Sequence, residues 1–179
     1  MKRLLVIVDM QNDFISGSLG TDEAKKIEPK VVNKIKKWDG DIVCTMDTHS
    51  PDYLSTSEGK KLPVEHCIEG TDGWGISDSI CNAIDDARKS SDFAITKPTF
   101  GSIKLAEYIG KGNYEYIEFV GLCTDICVIS NVLLTKTYFP EATIVVDASC
   151  CAGVTVESHQ NALNAMKMCQ IDVINEEVK

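Results

Sequence analysis

Short runs of apolar residues recur along the chain, and most are followed by a longer segment with helical spacing. The runs are β-branched and nearly continuous, which is typical of strands covered on both faces. They lie at residues 4–8, 41–46, 93–96, 116–121, 143–147 and 171–174. Helical patterns lie near residues 23–38, 77–89, 101–110, 125–138 and 155–168.

This alternation of strands and helices predicts an α/β fold, with a parallel sheet, right-handed crossovers and helices on both faces. One connection is much longer than the others. Residues 48–76 are mostly polar, contain Pro51, Pro63 and several glycines, and show little periodicity. Because a loop of that length is uncommon in a compact domain and often functional, we expect it to contribute to a site.

Length and composition indicate one compact unit. The chain has 179 residues, of which 44% are hydrophobic, so residues 1–179 are expected to form a single domain. Eighteen basic residues against 27 acidic ones give a net charge of −9. Nucleic acid and anionic membranes would be repelled by such a surface, so neither is expected as a partner. No apolar run is long enough to span a bilayer.

The eight cysteines raise the question of disulfides. The chain opens with Met1-Lys2-Arg3 and only five apolar residues, which does not resemble a secretory signal. We therefore expect a cytoplasmic protein in which the cysteines stay reduced and mostly act as small core residues.

Reactive side chains stand at the ends of four predicted strands. Asp9 follows the first, Asp47 and His49 follow the second, and Lys97 follows the third. The fourth leads through a turn into a helix that begins near Cys127. Because ligands bind beyond the carboxyl ends of parallel strands, these groups are expected to meet at one edge of the sheet.

A thiol at the start of a helix is a candidate nucleophile. The helix N-terminus and the ammonium of Lys97 both favour the thiolate of Cys127, and Asp9 can accept the thiol proton. Backbone N–H groups of the preceding turn can hold an oxyanion. The combination predicts acyl transfer through a thioester.

A second group of residues has the chemistry of a metal site. Asp47 and His49 come from one strand end, and Glu58 and His66 follow in the long loop. A mixed set of imidazoles and carboxylates suits a divalent ion, with zinc favoured and iron or manganese as alternatives.

Taken together, the motifs resemble those of the isochorismatase-like cysteine hydrolases, and within them the nicotinamidase/pyrazinamidase branch. The resemblance rests on an ordered set of segments: Ile7-Val8-Asp9-Met10-Gln11-Asn12-Asp13-Phe14, the Asp47-x-His49 pair, Pro63-x-x-His66-Cys67, Lys97, and Gly121-Leu122-Cys123-Thr124-Asp125-x-Cys127-Val128.

The resemblance implies six strands in the order 3-2-1-4-5-6 and a catalytic triad of Asp9, Lys97 and Cys127. It implies a cis peptide between Leu122 and Cys123, and an oxyanion hole formed by the N–H groups of Cys123 and Cys127. The metal ligands would be those already named. The implied reaction is the hydrolysis of nicotinamide to nicotinate and ammonia, a step of NAD salvage.

The same resemblance locates the substrate. Phe14 matches a position that packs on the substrate ring, Leu62 stands where relatives usually carry an aromatic residue, and Phe100 is a further candidate wall. The alternative is a related hydrolase acting on an N-carbamoyl or ureido compound, a branch that generally lacks the Asp-x-His…His set. A binding domain without catalytic activity is a third reading, and a homo-oligomer is left open.

Overall fold

The protein is an α/β domain built on one six-stranded parallel sheet. The structure, a computed structural model, describes residues 1–87 and 94–176. The strands are β1 (Arg3–Val8), β2 (Asp41–Asp47), β3 (Ala94–Lys97), β4 (Tyr116–Leu122), β5 (Thr143–Ala152) and β6 (Asp172–Ile174). They pair in the order β3-β2-β1-β4-β5-β6, which confirms the predicted order.

Within the described residues, six α-helices connect the strands. They are α1 (Asn12–Ile15), α2 (Asp22–Lys37), α3 (Asp78–Asp86), α4 (Ile103–Gly112), α5 (Ile129–Tyr138) and α6 (Val156–Met168). Polar side chains mark several of the starts: Thr21, Ser102 and Thr155 each accept a hydrogen bond from a backbone N–H in the first turn. Phe93 and residues 88–89, which the sequence assigns to a strand and a helix, lie outside the described residues.

The helices cover both faces of the sheet. Leu5 and Ile7 of β1 pack with α1, α2 and α3, whereas Leu4, Val6 and Val8 pack with α4, α5 and α6. Alternate residues of a strand point to opposite faces, so a strand covered twice must be apolar throughout. All five of these side chains are fully buried.

Two elements differ from the sequence prediction. Strand β5 continues to Ala152, five residues past the predicted end, because its register against β4 shifts between Phe119 and Gly121 and pairing resumes at Cys151. The predicted helix at 125–138 is a π-helical turn, Thr124–Val128, that runs into α5.

Among the described residues, no helix is long and apolar enough to cross a membrane. All eight cysteines are free thiols.

Candidate active site

Asp9 follows β1 at the carboxyl edge of the sheet and is completely buried. Its φ of 48° lies in the left-handed region, which non-glycine residues adopt at a cost. Two hydrogen bonds to Thr45 of β2 hold it there: the Asp9 N–H donates to the Thr45 carbonyl over 3.2 Å, and the Thr45 hydroxyl donates to Asp9 Oδ1 over 2.6 Å. The neighbouring strand therefore holds both the strained backbone and the carboxylate of Asp9 in place.

Lys97, the last residue of β3, is 1% exposed and reaches three reactive groups. Its Nζ lies 2.7 Å from Asp9 Oδ2, 3.2 Å from Asp47 Oδ1 and 3.3 Å from Cys127 Sγ. Asp9 Oδ2 accepts no well-directed hydrogen bond from the described residues, although the ammonium is close. That oxygen has lone-pair capacity left for a proton.

Cys127 lies in the segment that joins the end of β4 to α5, which we call the cysteine turn (residues 121–128). Its side chain is 4% exposed. Gly121 has a φ of 116°, and a Cβ there would lie 2.1 Å from the Val8 carbonyl oxygen, so only glycine lets the turn approach β1 this closely. The bond between Leu122 and Cys123 is cis, as the resemblance implies.

The electrostatics of the thiol differ from the expectation. Burial, followed by the charge of Asp9, raises the pKa of Cys127 well above its ordinary value, and Lys97 only partly offsets this. Burial also raises the pKa of Asp9 against the opposing effect of Lys97. Burial disfavours the ammonium, but Asp9, Cys127 and Asp47 outweigh it and raise the pKa of Lys97. Burial therefore favours the neutral forms of both the Cys127 thiol and the Asp9 carboxyl group.

The four predicted metal ligands do converge. The ligand atoms of Asp47, His49, Glu58 and His66 all lie within 4.8 Å of one another. His49 Nε2 is 3.0 Å from Asp47 Oδ2 and 3.7 Å from Glu58 Oε1. His66 Nε2 is 3.7 Å from Asp47 Oδ2 and 3.9 Å from Glu58 Oε1.

These separations fit a small divalent ion. Ligands about 2.1 Å from a tetrahedral centre are about 3.4 Å apart, which is within the observed spread. His66 Nδ1 donates to the Val64 carbonyl over 2.8 Å, a contact that leaves Nε2 free to face the group. Burial lowers the pKa of His66, but Asp47 and the Val64 carbonyl raise it more, so the net shift is upward. Donor chemistry and spacing both suit zinc or a similar cation.

An apolar cavity of about 230 Å³ connects the two groups. Asp47, Glu58 and His66 line it together with Cys123 and Cys127. The three predicted substrate residues line it as well: Phe14, Leu62 and Phe100. A small flat molecule in this cavity would therefore contact the thiol and the candidate metal ligands together.

Three residues support the site: Gln11 and Thr45, which sequence reasoning missed, and Asp13, which it expects to orient the backbone. Gln11 is fully buried; its Nε2 donates to the carbonyls of Asp47 and Trp74, both over 2.8 Å, and its Oε1 accepts from the Asp47 N–H. Asp13 accepts from the Cys67 N–H over 2.8 Å and so ties α1 to the long loop. Thr45 holds Asp9. A signal for Gln11 existed, since a polar residue three positions after a buried strand needs partners.

Several known proteins are similar to this chain over nearly its whole length. The chain is 26% identical to a nicotinamidase of Schizosaccharomyces pombe, over 96% of this chain and 92% of the relative. A solved nicotinamidase/pyrazinamidase of Bacillus subtilis superposes with a TM-score of 0.84 at 23% identity, covering 97% of this chain and 99% of the other. The pyrazinamidase of Pyrococcus horikoshii, solved in complex with zinc, superposes with a TM-score of 0.81 at 24% identity, covering 98% and 100%.

These two superpositions show a shared fold. The model of the isochorismatase domain matches residues 3–178, nearly the whole chain. The chain therefore belongs to the isochorismatase family, as its ordered motifs predict.

Proposed function

We propose that this chain is a nicotinamidase, a cysteine amidohydrolase that converts nicotinamide to nicotinate and ammonia. One observation carries the proposal: Lys97 Nζ lies 2.7 Å from Asp9 Oδ2 and 3.3 Å from Cys127 Sγ beside the cavity. An acid–base group, a cation and a thiol within contact distance form the apparatus for opening an amide. The similarity to nicotinamidases from other organisms supports the choice of substrate.

The first half-reaction forms a thioester. Asp9 takes the proton of Cys127 as the sulfur attacks the amide carbon, so that the high pKa of the free thiol does not block attack. Lys97 stabilises the negative charge that develops at the reacting centre. Asp9 then returns the proton to the amide nitrogen, the C–N bond breaks and ammonia leaves.

The second half-reaction uses water. Asp9 removes a proton from the water as its oxygen attacks the thioester, and the C–S bond then breaks. The proton returns from Asp9 to Cys127, which regenerates the resting thiol. The net change is the addition of one water to one amide.

The cysteine turn and the cavity walls orient the substrate in this scheme. The N–H groups of Cys123 and Cys127 hold the carbonyl oxygen as it becomes an oxyanion. Phe14, Leu62 and Phe100 contact the ring, since all three line the cavity. The largely apolar walls suit a neutral aromatic amide.

A divalent ion, which we propose to be zinc, would be held by Asp47, His49, Glu58 and His66. Bound there, it would supply a Lewis acid at the side of the cavity facing the thiol. The His66–Val64 hydrogen bond and the hold of Gln11 on Asp47 keep the ligands in place.

We also propose that residues 1–179 act as one domain, in the cytoplasm, within NAD salvage. The ureide alternative is not favoured, because the metal ligands that its branch generally lacks are present and assembled. The three relatives named above are nicotinamidases or pyrazinamidases, which supports the amide as substrate.

The direct test is a coupled ammonia assay over nicotinamide, pyrazinamide and a panel of ureides, with metal analysis of the same preparation. We expect turnover of nicotinamide, loss of ammonia release in Cys127→Ala, and unchanged turnover in Cys150→Ala, which removes a buried thiol outside the site. Retained activity in Cys127→Ala, or turnover of ureides alone, would contradict the proposal.

A further inference from the structure

Thr45 is the residue of β2 opposite Val8, the last residue of β1, and it is fully buried. It contacts Asp9 twice, through its carbonyl and through its hydroxyl. A parallel strand covered on both faces ordinarily takes an apolar β-branched residue at such a position, and valine has nearly the same shape. The hydroxyl therefore needs an explanation.

The two oxygens of Asp9 have separate partners. The hydroxyl of Thr45 donates to Oδ1 over 2.6 Å, and the ammonium of Lys97 lies 2.7 Å from Oδ2. A carboxylate held by one oxygen on a short hydrogen bond cannot rotate about its last bond without losing that contact. The bond to Oδ1 thus determines that Oδ2 faces Lys97.

We propose that Thr45 is a positioning residue for catalysis, whose hydroxyl fixes Asp9 so that Oδ2 receives the thiol proton. The inference rests on the proposed function, in which Asp9 is the base. Thr45 touches neither substrate nor thiol in this scheme and acts through Asp9 alone.

The pKa of Asp9 depends on the Thr45 hydrogen bond and also on nearby ionisable groups. Among the charged groups, Lys97 of β3 lowers the pKa of Asp9 and Asp47 of β2 raises it. The thiols whose own pKa values respond to Asp9 lie on β2, the long loop and the cysteine turn: Cys44, Cys67, Cys123 and Cys127. The Thr45 hydrogen bond lowers the pKa of Asp9. Removing it must raise that pKa further, so the base form becomes scarcer at low pH.

The experiment compares Thr45→Val, which replaces the hydroxyl with a methyl group, with Thr45→Ser, which keeps the hydroxyl. Thr135→Val is the matched control, since Thr135 is 1% exposed and its hydroxyl has no hydrogen-bond partner among the described residues. For each variant we would measure kcat and KM for nicotinamide against pH, metal content, and the rate at which iodoacetamide alkylates Cys127, identified by peptide mass spectrometry.

For Thr45→Val we expect the acidic limb of the kcat profile to move up by about one pH unit, since a hydrogen bond to a charged group is worth about that much. KM and metal content should stay within about twofold of wild type. The acidic limb of alkylation should shift in parallel, whereas Thr45→Ser and Thr135→Val should behave as wild type.

An unshifted limb in folded Thr45→Val would overturn the inference, as would a loss traced only to metal content. If Thr45→Val does not fold, Thr45→Ala replaces it in the same measurements. If neither variant folds while Thr45→Ser behaves as wild type, the hydroxyl has a structural role, and the inference is overturned. Alkylation needs no amide substrate, so it tests Thr45 even if wild type releases no ammonia. That last result would count against the proposed function separately.

Discussion

Two regions of this protein combine the same kinds of charged groups, but their hydrogen bonding differs. The strand-end cluster contains Asp9, Asp47 and Lys97. The interior cluster contains Glu118, Asp147 and Lys34, with Lys34 Nζ 2.5 Å from Glu118 Oε1 and 2.6 Å from Asp147 Oδ2. Each has two carboxylates and one lysine.

The interior cluster is fully hydrogen-bonded. Asp147 accepts from the backbone N–H and hydroxyl of Ser149 and from the Asn175 amide, and Glu118 accepts from the Tyr116 hydroxyl over 2.9 Å. Burial alone would raise the pKa of Asp147, but these partners and Lys34 lower it below the usual value. A buried charge satisfied in this way is stable and unreactive.

In the strand-end cluster, Asp9 Oδ2 accepts no well-directed hydrogen bond from the described residues. Burial raises the pKa of Asp9 despite the nearby ammonium, and Asp47 lines a cavity that is also lined by Cys127. The difference teaches that a buried ion pair indicates chemistry when one carboxylate oxygen lacks a well-directed hydrogen bond and the cation also contacts a thiol, and indicates structure when every carboxylate oxygen has a partner.

The largest expected effect separates the two lysines. Lys97→Met should lower kcat for ammonia release by at least about a thousandfold, because the ammonium beside the reacting centre is lost. Lys34→Met should keep kcat within about twofold but cost about 3 kcal/mol of stability, since two buried carboxylates lose their cation. Ammonia assays and urea titrations of both variants measure this, and equal loss of activity in the two would erase the distinction.

Metal removal should produce the next largest effect. Chelation is expected to lower kcat/KM about a hundredfold, with recovery on adding back zinc, because three of the residues that would hold the cation line the substrate cavity. His66→Ala should lose metal as measured by elemental analysis. His159→Ala is the control, since this histidine hydrogen-bonds the Thr124 hydroxyl away from the ligand group and should leave metal content unchanged. Full activity of the metal-free protein would contradict the site.

Stability against pH should distinguish the carboxylates. The folded-state pKa of Asp147 is lowered, so its contribution is present above pH about 4 and is lost as pH falls through that lower value. Asp147→Asn should lower the free energy of unfolding by about 2 kcal/mol at pH 7, and the difference from wild type should shrink in acid.

The folded-state pKa of Asp9 is raised, so ionising its carboxyl group lowers the free energy of unfolding as pH rises toward that value. Asp9→Asn should be at least as stable as wild type at pH 7, and urea titrations at several pH values decide both.

The smallest effect concerns the cavity wall. Leu62→Ala should raise KM for nicotinamide about threefold with kcat unchanged, because a partly exposed leucine contributes only part of its burial energy to the substrate. Leu54→Ala removes a leucine of the same loop that is absent from the cavity lining and should change neither constant. Steady-state kinetics of the pair test this, and a change in kcat for Leu62→Ala would assign the residue another role.

Much of the fold could be predicted because the apolar runs are strong. Residues 4–8 and 116–121 form β1 and β4 almost as predicted, and the alternation with helices gives parallel pairing. The predicted end of β5, at Asp147, was wrong because the charge of Asp147 interrupts the apolar pattern. Its partners, Lys34 and Asn175, come from distant parts of the chain, so no local pattern reveals that the strand can continue through a charge.

The sequence by itself determined which reactive groups meet, because strand ends of a parallel sheet share one edge. Asp9, Lys97, Cys127, Asp47 and His49 could be named on that ground, whereas Glu58 and His66 were named from their residue types in the long loop. Only the tertiary structure decided their electrostatic state. Whether a helix start lowers the pKa of a thiol depends on how much water remains around it, and here burial and the charge of Asp9 outweigh the lysine. Solvation and through-space charge are properties of the packed molecule, and no run of residues encodes them locally.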